Sequence, residues 1–154
     1  MEHAFFPMFV DISNKKIVVA GGGQVALRRV KTLLLFTEDI LVIAPRINEE
    51  LCALEREGQI RCKKRECRRE DIKDADIVLA ATDCRRVNDA IYAYCREQGI
   101  LVNTADDKKK CDFYFPSVIQ KAGVTIGVNS GGTSPATVKQ VREQIENCLQ
   151  ETEF

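Results

Sequence analysis

The stretch Lys16-Ile17-Val18-Val19-Ala20-Gly21-Gly22-Gly23-Gln24-Val25-Ala26 constrains the fold more than any other part of the chain. An apolar run meets three glycines and passes directly into an amphipathic helix. That order predicts a strand, a tight turn and a helix N-terminus, whose unpaired N–H groups and partial positive charge suit a phosphate. Gly21, Gly23 and Ala26 fit the spacing of a dinucleotide-binding turn. Gly21 allows the turn, Gly23 lets a pyrophosphate approach the backbone, and Ala26 lets the helix pack closely on its strand. Gly21, Gly22, Gly23, Gln24 and Val25 are therefore candidate cofactor-binding residues. A purely structural glycine turn is the competing reading.

The surroundings favour the first reading. Ala26, Leu27, Val30, Leu33 and Leu34 recur at helical spacing, with Arg28, Arg29 and Lys31 largely on the other face. A second apolar run, Ile40 to Ala44, follows at the distance a βαβ unit requires. The acidic residue that often closes such a second strand, to bond the ribose hydroxyls, is absent: the chain reads Ala44-Pro45-Arg46 there. The adenosine end is then held by backbone and packing. Arg46 either faces a phosphate, which leaves NADP open beside NAD, or is a solvated loop arginine.

Further along, Asn48 suits the cap of a short helix through Glu57 ended by Gly58. Ile60–Lys64 reads as an edge strand because of its lysines. Asp76–Ala81 reads as a buried strand, Arg86–Gln98 as a helix ended by Gly99, and Ile100–Asn103 as a further strand. With the first helix drawn over Gln24–Phe36, this alternation predicts an α/β, Rossmann-like domain over residues 1–112. Its mostly parallel sheet carries helices on both faces. The pattern changes over residues 113–154. Phe115–Gln120 and Val124–Asn129 predict a hairpin, followed by a helix with the apolar stripe Val138, Val141, Ile145 and Leu149. Ser134 or Thr133 suits its N-cap and Pro135 its first turn. A hairpin and one helix make too little core to stand alone, so this segment is expected to pack on the sheet or pair with a second copy.

In 154 residues, 23 basic side chains balance 23 acidic ones, which argues against a general nucleic-acid binder. No apolar run approaches a membrane span, and the N-terminus does not resemble an export signal, so a cytoplasmic protein is expected. The seven cysteines include no C-x-x-C pair and are accompanied by one histidine, so reduced thiols are expected and a structural metal site is not.

Four motifs occur in one order: Gly21-Gly22-Gly23-x-Val25-Ala26-x-Arg28-Arg29; Ala80-Ala81-Thr82-Asp83-x-x-x-x-Asn88; Asn103-x-x-Asp106 with Phe113 and Pro116-Ser117; and Ser130-Gly131-Gly132-Thr133-Ser134-Pro135. From about Phe6 to Leu149 the chain resembles the precorrin-2 dehydrogenase / sirohydrochlorin ferrochelatase family, the N-terminal module of siroheme synthase. The resemblance implies NAD as hydride acceptor, precorrin-2 (an anionic tetrapyrrole) as substrate, a homodimer formed by the last segment, and in some members insertion of Fe²⁺ or Co²⁺ as a further substrate. Members usually continue into a further helical region, whereas this chain ends at Phe154, which leaves chelation open.

Asp106 matches the aspartate that the family uses in the chemistry. A carboxylate near the macrocycle can take a proton as hydride leaves; otherwise Asp106-Asp107-Lys108 is a polar turn. Ala44, Pro45, Arg46, Thr82 and Asp83 are further cofactor-side candidates, with Asp83 alternatively a helix cap. Asn103, Ser130, Gly131, Thr133 and Ser134 are substrate-side candidates. Lys108, Lys109 and Lys110 either steer an anionic substrate or are solvated. Two other classes remain: a non-catalytic dinucleotide sensor and a tetrapyrrole-binding module without turnover.

Overall fold

The computed structural model describes residues 5–150. The elements run β1 (Ile17–Ala20), α1 (Gln24–Leu33), β2 (Ile40–Ile43), α2 (Glu49–Arg56), β3 (Arg61–Lys63), α3 (Arg69–Ile72), β4 (Ile77–Ala80), α4 (Arg85–Gln98), β5 (Leu101–Thr104), β6 (Ser117–Lys121), β7 (Val124–Val128) and α5 (Pro135–Gln150). They fall into two compact units, one over residues 6–113 and one made of Phe5 with residues 114–150.

In the first unit β1 to β5 form one wholly parallel sheet in the order β3-β2-β1-β4-β5. The continuous apolar runs reflect burial on both faces. Val18, Ala20, Leu41, Ile43, Val78, Ala80 and Val102 share one face and pack with Ile72, Ile91 and Cys95 from α3 and α4. Ile17, Val19, Ile40, Val42 and Leu79 point the other way and are equally buried, with Ala26, Leu27, Val30 and Leu33 of α1 and Leu51 of α2. The strand order reverses between β1 and β4, so a crevice forms at their carboxyl ends, where open α/β sheets bind ligands.

Local chemistry explains most boundaries. Asn48 caps α2 by accepting from the Glu50 N–H at 2.9 Å. Gly99 ends α4 in the left-handed region. Lysine-flanked β3 lies at the sheet edge. The first helix stops at Leu33, short of the expected Phe36. There the Leu35 and Phe36 N–H groups bond the carbonyls of Thr32 and Leu33, three residues back, and tighten the chain into a turn. The one-turn α3 was not expected. It is held by Asp71, whose buried carboxylate accepts from Lys63 Nζ at 2.8 Å, from both Arg65 amino groups at 2.7 Å and from the Arg68 N–H at 3.0 Å.

The Arg65 guanidinium, with Lys63 and the Arg68 N–H, holds the Asp71 carboxyl well below the usual carboxylate range. A depressed acid stabilises the fold above its unfolded pKa, about 3.9, and that contribution is lost as pH falls through and below this value. Its cationic partners remain partly solvated, which discounts the pair. Asp71→Asn is expected to cost about 2 kcal/mol at pH 7. The gap from wild type should be constant from pH 6 to pH 5, begin to narrow below about pH 4 and go on narrowing as urea denaturation is carried to lower pH. A pH-independent gap would show that the carboxylate charge is not what matters.

In the second unit β6 and β7 pair antiparallel, with Ser117 opposite Val128 and Lys121 opposite Val124. Their two-residue loop, Ala122-Gly123, has both φ angles positive (51° and 77°), which is the turn a twisted hairpin favours. Pro116 lies outside β6 because it has no N–H to donate. α5 packs on this hairpin, yet none of its described residues is buried. Among the described residues no helix is long and apolar enough to cross a membrane.

Candidate functional site

Four loops leave the carboxyl edge of the parallel sheet and carry most of the expected site. Gly21–Gly23 follow β1, Ala44–Arg46 follow β2, Ala81–Asp83 follow β4, and Ala105–Asp106 follow β5. Backbone bonds extend the ladder into them. The Gly21 N–H donates to Ile43 O at 2.9 Å, the Ala81 N–H to Ala20 O at 2.7 Å, and the Ala105 N–H to Ala80 O at 2.9 Å. The edge is therefore a rigid platform.

The three glycines have three different roles. Gly21 sits at φ +130°, and a Cβ there would lie 2.2 Å from Ala81 O. Gly22 is wedged under the β2–α2 loop, where a Cβ would lie 2.2 Å from Arg46 O and 2.9 Å from Ile47 Cα. A Cβ on Gly23 would meet nothing within 4 Å. Gly23 is the N-cap residue of α1, its φ of −89° is open to any residue, and no side chain caps the helix. This open position at an uncapped helix N-terminus has the space and the unpaired N–H groups that an anion needs. Gln24 and Val25, the exposed first residues of α1, complete the cradle.

Thr82 is fixed by a residue to which the sequence assigned no role. Asn88, fully buried one turn into α4, accepts from the Thr82 hydroxyl at 2.7 Å and its N–H at 3.2 Å, and donates to Thr82 O at 3.1 Å. The Thr82 hydroxyl also accepts from the Cys84 N–H at 3.2 Å. The N-cap of α4 is Cys84, so Asp83 is not the cap; it is an exposed residue on the loop beyond β4.

Asp106 is exposed at the tip of the loop after β5. The loop around it is stapled. The Thr104 hydroxyl donates to Asp107 O at 2.8 Å and Lys110 O at 3.0 Å, and the Cys111 thiol to Thr104 O at 3.3 Å. The Asp107 carboxylate accepts from the Lys109 N–H at 3.0 Å and lies 3.5 Å from Arg85 Nη2 on α4. Lys110 pairs with Asp89, and Arg96 with Asp112, also tying the loop to α4. Asp107 and Lys110 thus build the loop, and Asp106 is the carboxylate the loop presents. Asn103, expected on the substrate side, is instead 3% exposed and donates from Nδ2 to Phe113 O at 2.8 Å. Its Oδ1 is buried without a hydrogen-bond partner.

The Ser130–Ser134 turn belongs to the second unit. Its hydroxyls build the turn itself. Thr133 Oγ1 donates to Ser130 O at 2.6 Å, Ser130 Oγ accepts from the Ser134 N–H at 3.0 Å, and Ser134 Oγ accepts from the Thr137 N–H at 3.3 Å as the cap of α5. The Gly131 N–H donates to Asn129 Oδ1 at 2.6 Å.

Burial pushes the Cys62 thiol up to about 11 and those of Cys67 and Cys95 to about 12, so these three are inert at neutral pH. Cys52, Cys62, Cys67, Cys84, Cys95 and Cys111 carry free thiols. Among the described residues no group of three His, Cys, Asp or Glu side chains is arranged to hold a metal ion.

The chain is similar to several known proteins. The chain is 38% identical over 145 residues to the siroheme synthase of Actinobacillus succinogenes, covering 94% of this chain and 30% of that protein. It is 39% identical over 149 residues to the "Probable multifunctional siroheme biosynthesis protein HemA" of Ruminiclostridium josui, covering 96% of this chain and 29% of that one. The chain thus spans under a third of the length of these relatives. The solved structure of SirC, described as a precorrin-2 dehydrogenase, has the same fold, with a TM-score of 0.82 at 24% identity, covering 93% of this chain and 70% of that one. A family described as "Putative NAD(P)-binding" matches residues 8–117. That match runs through the glycine turn, all five parallel strands and the loops that surround it, and the chain belongs to this NAD(P)-binding family.

Proposed function

We propose that the chain catalyses NAD-dependent oxidation of precorrin-2 to sirohydrochlorin in siroheme biosynthesis, in the cytoplasm. One observation carries the reading: the open cradle at Gly23 and the exposed Asp106 carboxylate lie on the same edge of one rigid sheet. Similarity to siroheme synthases and to a precorrin-2 dehydrogenase suggests the substrate class.

Residues 1–112 act as the dinucleotide domain and 113–154 as the dimerisation and substrate segment. Gly21–Val25 hold the pyrophosphate through backbone N–H groups, Ala44–Arg46 flank the adenosine ribose, and Thr82 and Asp83 line the pocket beyond β4. Bound NAD⁺ supplies the hydride acceptor. Each turnover also releases one proton, and Asp106 Oδ takes it. Asn103 keeps the Asp106 loop in place from below, and the Ser130–Ser134 turn meets substrate carboxylates through the Ser130 O–H, whose oxygen already accepts from the Ser134 N–H.

The test is anaerobic incubation of precorrin-2 with NAD⁺, following NADH and the sirohydrochlorin spectrum together. Both should rise in proportion, and Fe²⁺ or Co²⁺ added to the same cuvette then tests chelation. Binding of NAD⁺ with no rise in either signal would replace the enzyme by a sensor or binding module.

The apolar stripe of α5 supports a homodimer. Val138, Ile145 and Leu149 remain partly exposed and Val141 is 36% exposed, which a twofold partner would cover. Light scattering at micromolar concentration should give twice the chain mass, and Val141→Glu should shift it toward the monomer. A wild-type monomer would refute the dimer.

A further inference from the structure

α4 has two working sides. Arg85, Asp89 and Arg96 tie it to the Asp106 loop through Asp107, Lys110 and Asp112. Arg86, Val87, Ala90, Ile91 and Tyr94 turn instead toward α3. With four residues, α3 is too short to cover that side of the fourteen-residue α4. An open groove of about 230 Å³ remains between the two helices. Its floor is apolar. Ile72 and Ile91 are only 2% and 5% exposed, and Cys67, Val87 and Tyr94 pack against the same core. Ala90 is exposed and small, so a chain can approach α4 closely there.

The rim is cationic. Arg68, Arg69 and Arg86 are exposed around the groove, and none pairs with a carboxylate among the described residues. The Arg69 guanidinium lies 5.5 Å from the Tyr94 ring centroid, which holds it over the groove. No acid lines the groove. Asp71 is buried and taken by Lys63 and Arg65, and Asp89 is taken by Lys110. Glu66 and Glu70 are exposed on the Arg65 side: the Arg65 guanidinium donates to Glu66 O, and the Glu70 charge acts on it. Three guanidiniums around one apolar hollow repel one another and lack a counter-charge. The hollow is smaller than the roughly 300 Å³ at which small-molecule pockets begin, and it suits one large apolar side chain.

We propose that the α3–α4 groove docks an acidic segment of a partner protein, with one apolar side chain of the partner over Ile72 and Ile91 and its flanking carboxylates on Arg68, Arg69 and Arg86. Each guanidinium can meet a carboxylate through two N–H groups. An apolar anchor in a pocket, ringed by charged contacts that exclude water, is how such interfaces concentrate their binding energy. The groove shares no residue with the glycine cradle or the Asp106 loop, so the inference stands apart from the dinucleotide reading.

The experiment is titration of the isotope-labelled full chain with a blocked peptide in which a phenylalanine is flanked by glutamates on both sides, followed through the amide NMR shifts. Saturable shifts are expected at Val87, Ala90 and Tyr94, with a dissociation constant below about 1 mM. Replacing the peptide's phenylalanine by alanine, or its glutamates by lysines, should each weaken binding about tenfold or more. Arg86→Glu in the protein should do the same at an unchanged melting temperature. The peptide replacements keep the test decisive even if that variant folds poorly. Absent or unsaturable shifts, shifts that map elsewhere, or binding indifferent to the phenylalanine overturn the docking site. Inorganic phosphate that saturates the same amides at the same concentration would reduce the groove to an anion site and overturn it too.

Discussion

Gly21→Ala is expected to destabilise the 6–113 unit by about 3–5 kcal/mol and to abolish dinucleotide binding. The backbone there sits at φ +130°, which L side chains rarely adopt, and the added methyl would lie 2.2 Å from Ala81 O and 2.6 Å from Ala81 C. Both obstacles are backbone atoms. Neither strand can yield cheaply, because the Gly21 N–H is bonded to Ile43 O and the Ala81 N–H to Ala20 O. The loss should lower the melting temperature by about 10 °C in a protein of this size. Gly23→Ala separates stability from binding. Its Cβ meets nothing within 4 Å and its φ is −89°, so the melting temperature should move by no more than about 2 °C. The methyl would nevertheless occupy the place proposed for the pyrophosphate, and NAD⁺ affinity in calorimetry should fall about tenfold or more. Wild-type affinity in Gly23→Ala would mean that the phosphates bind elsewhere. An unchanged melting temperature in Gly21→Ala would mean that the β1 turn can relax.

The glycine turn was legible in the sequence because its requirements are steric and local: an apolar run, no Cβ, then helical spacing. Edge strand β3 was legible for a similar reason, since lysines on a short strand signal exposure. What was not legible depends on contacts between distant segments. α3 has one turn and little periodicity, and it exists because Lys63, Arg65 and Asp71 meet around it. An asparagine inside a helix has no distinctive local signal, so the bonds between Asn88 and Thr82 had to come from the structure, although both residues stand in a motif that carries the family resemblance. Asp106 and Asp107 look alike in sequence. Only the bonds from Asp107 to Lys109 and Arg85 show which carboxylate builds the loop. The serine and threonine hydroxyls of the Ser130–Ser134 turn read equally as ligands or as turn chemistry, and their bonds are those of a turn and a cap.

That contrast between neighbouring aspartates sets the second large expected effect. Asp106→Asn keeps the size and polarity of the side chain but removes its capacity to take a proton, and should lower precorrin-2 turnover by about 10²- to 10³-fold. Asp106 makes no hydrogen bond or ion pair among those of the loop, so the melting temperature should hold within about 1 °C. NAD⁺ affinity should hold within about twofold, because the Asp106 carboxylate makes no hydrogen bond or ion pair to Gly21–Val25. Asp107→Asn should show the reverse pattern. Losing the charge near Arg85 and Lys110 loosens the loop and lowers stability by about 1 kcal/mol. Turnover then falls only as far as Asp106 is misplaced, by less than about tenfold. The two variants therefore move different observables, and a defect of folding cannot imitate a defect of proton transfer. If Asp106→Asn keeps turnover within about threefold of wild type, the proton leaves to solvent or to another group. The exposed carboxylate would then be a feature of the loop and not of the reaction.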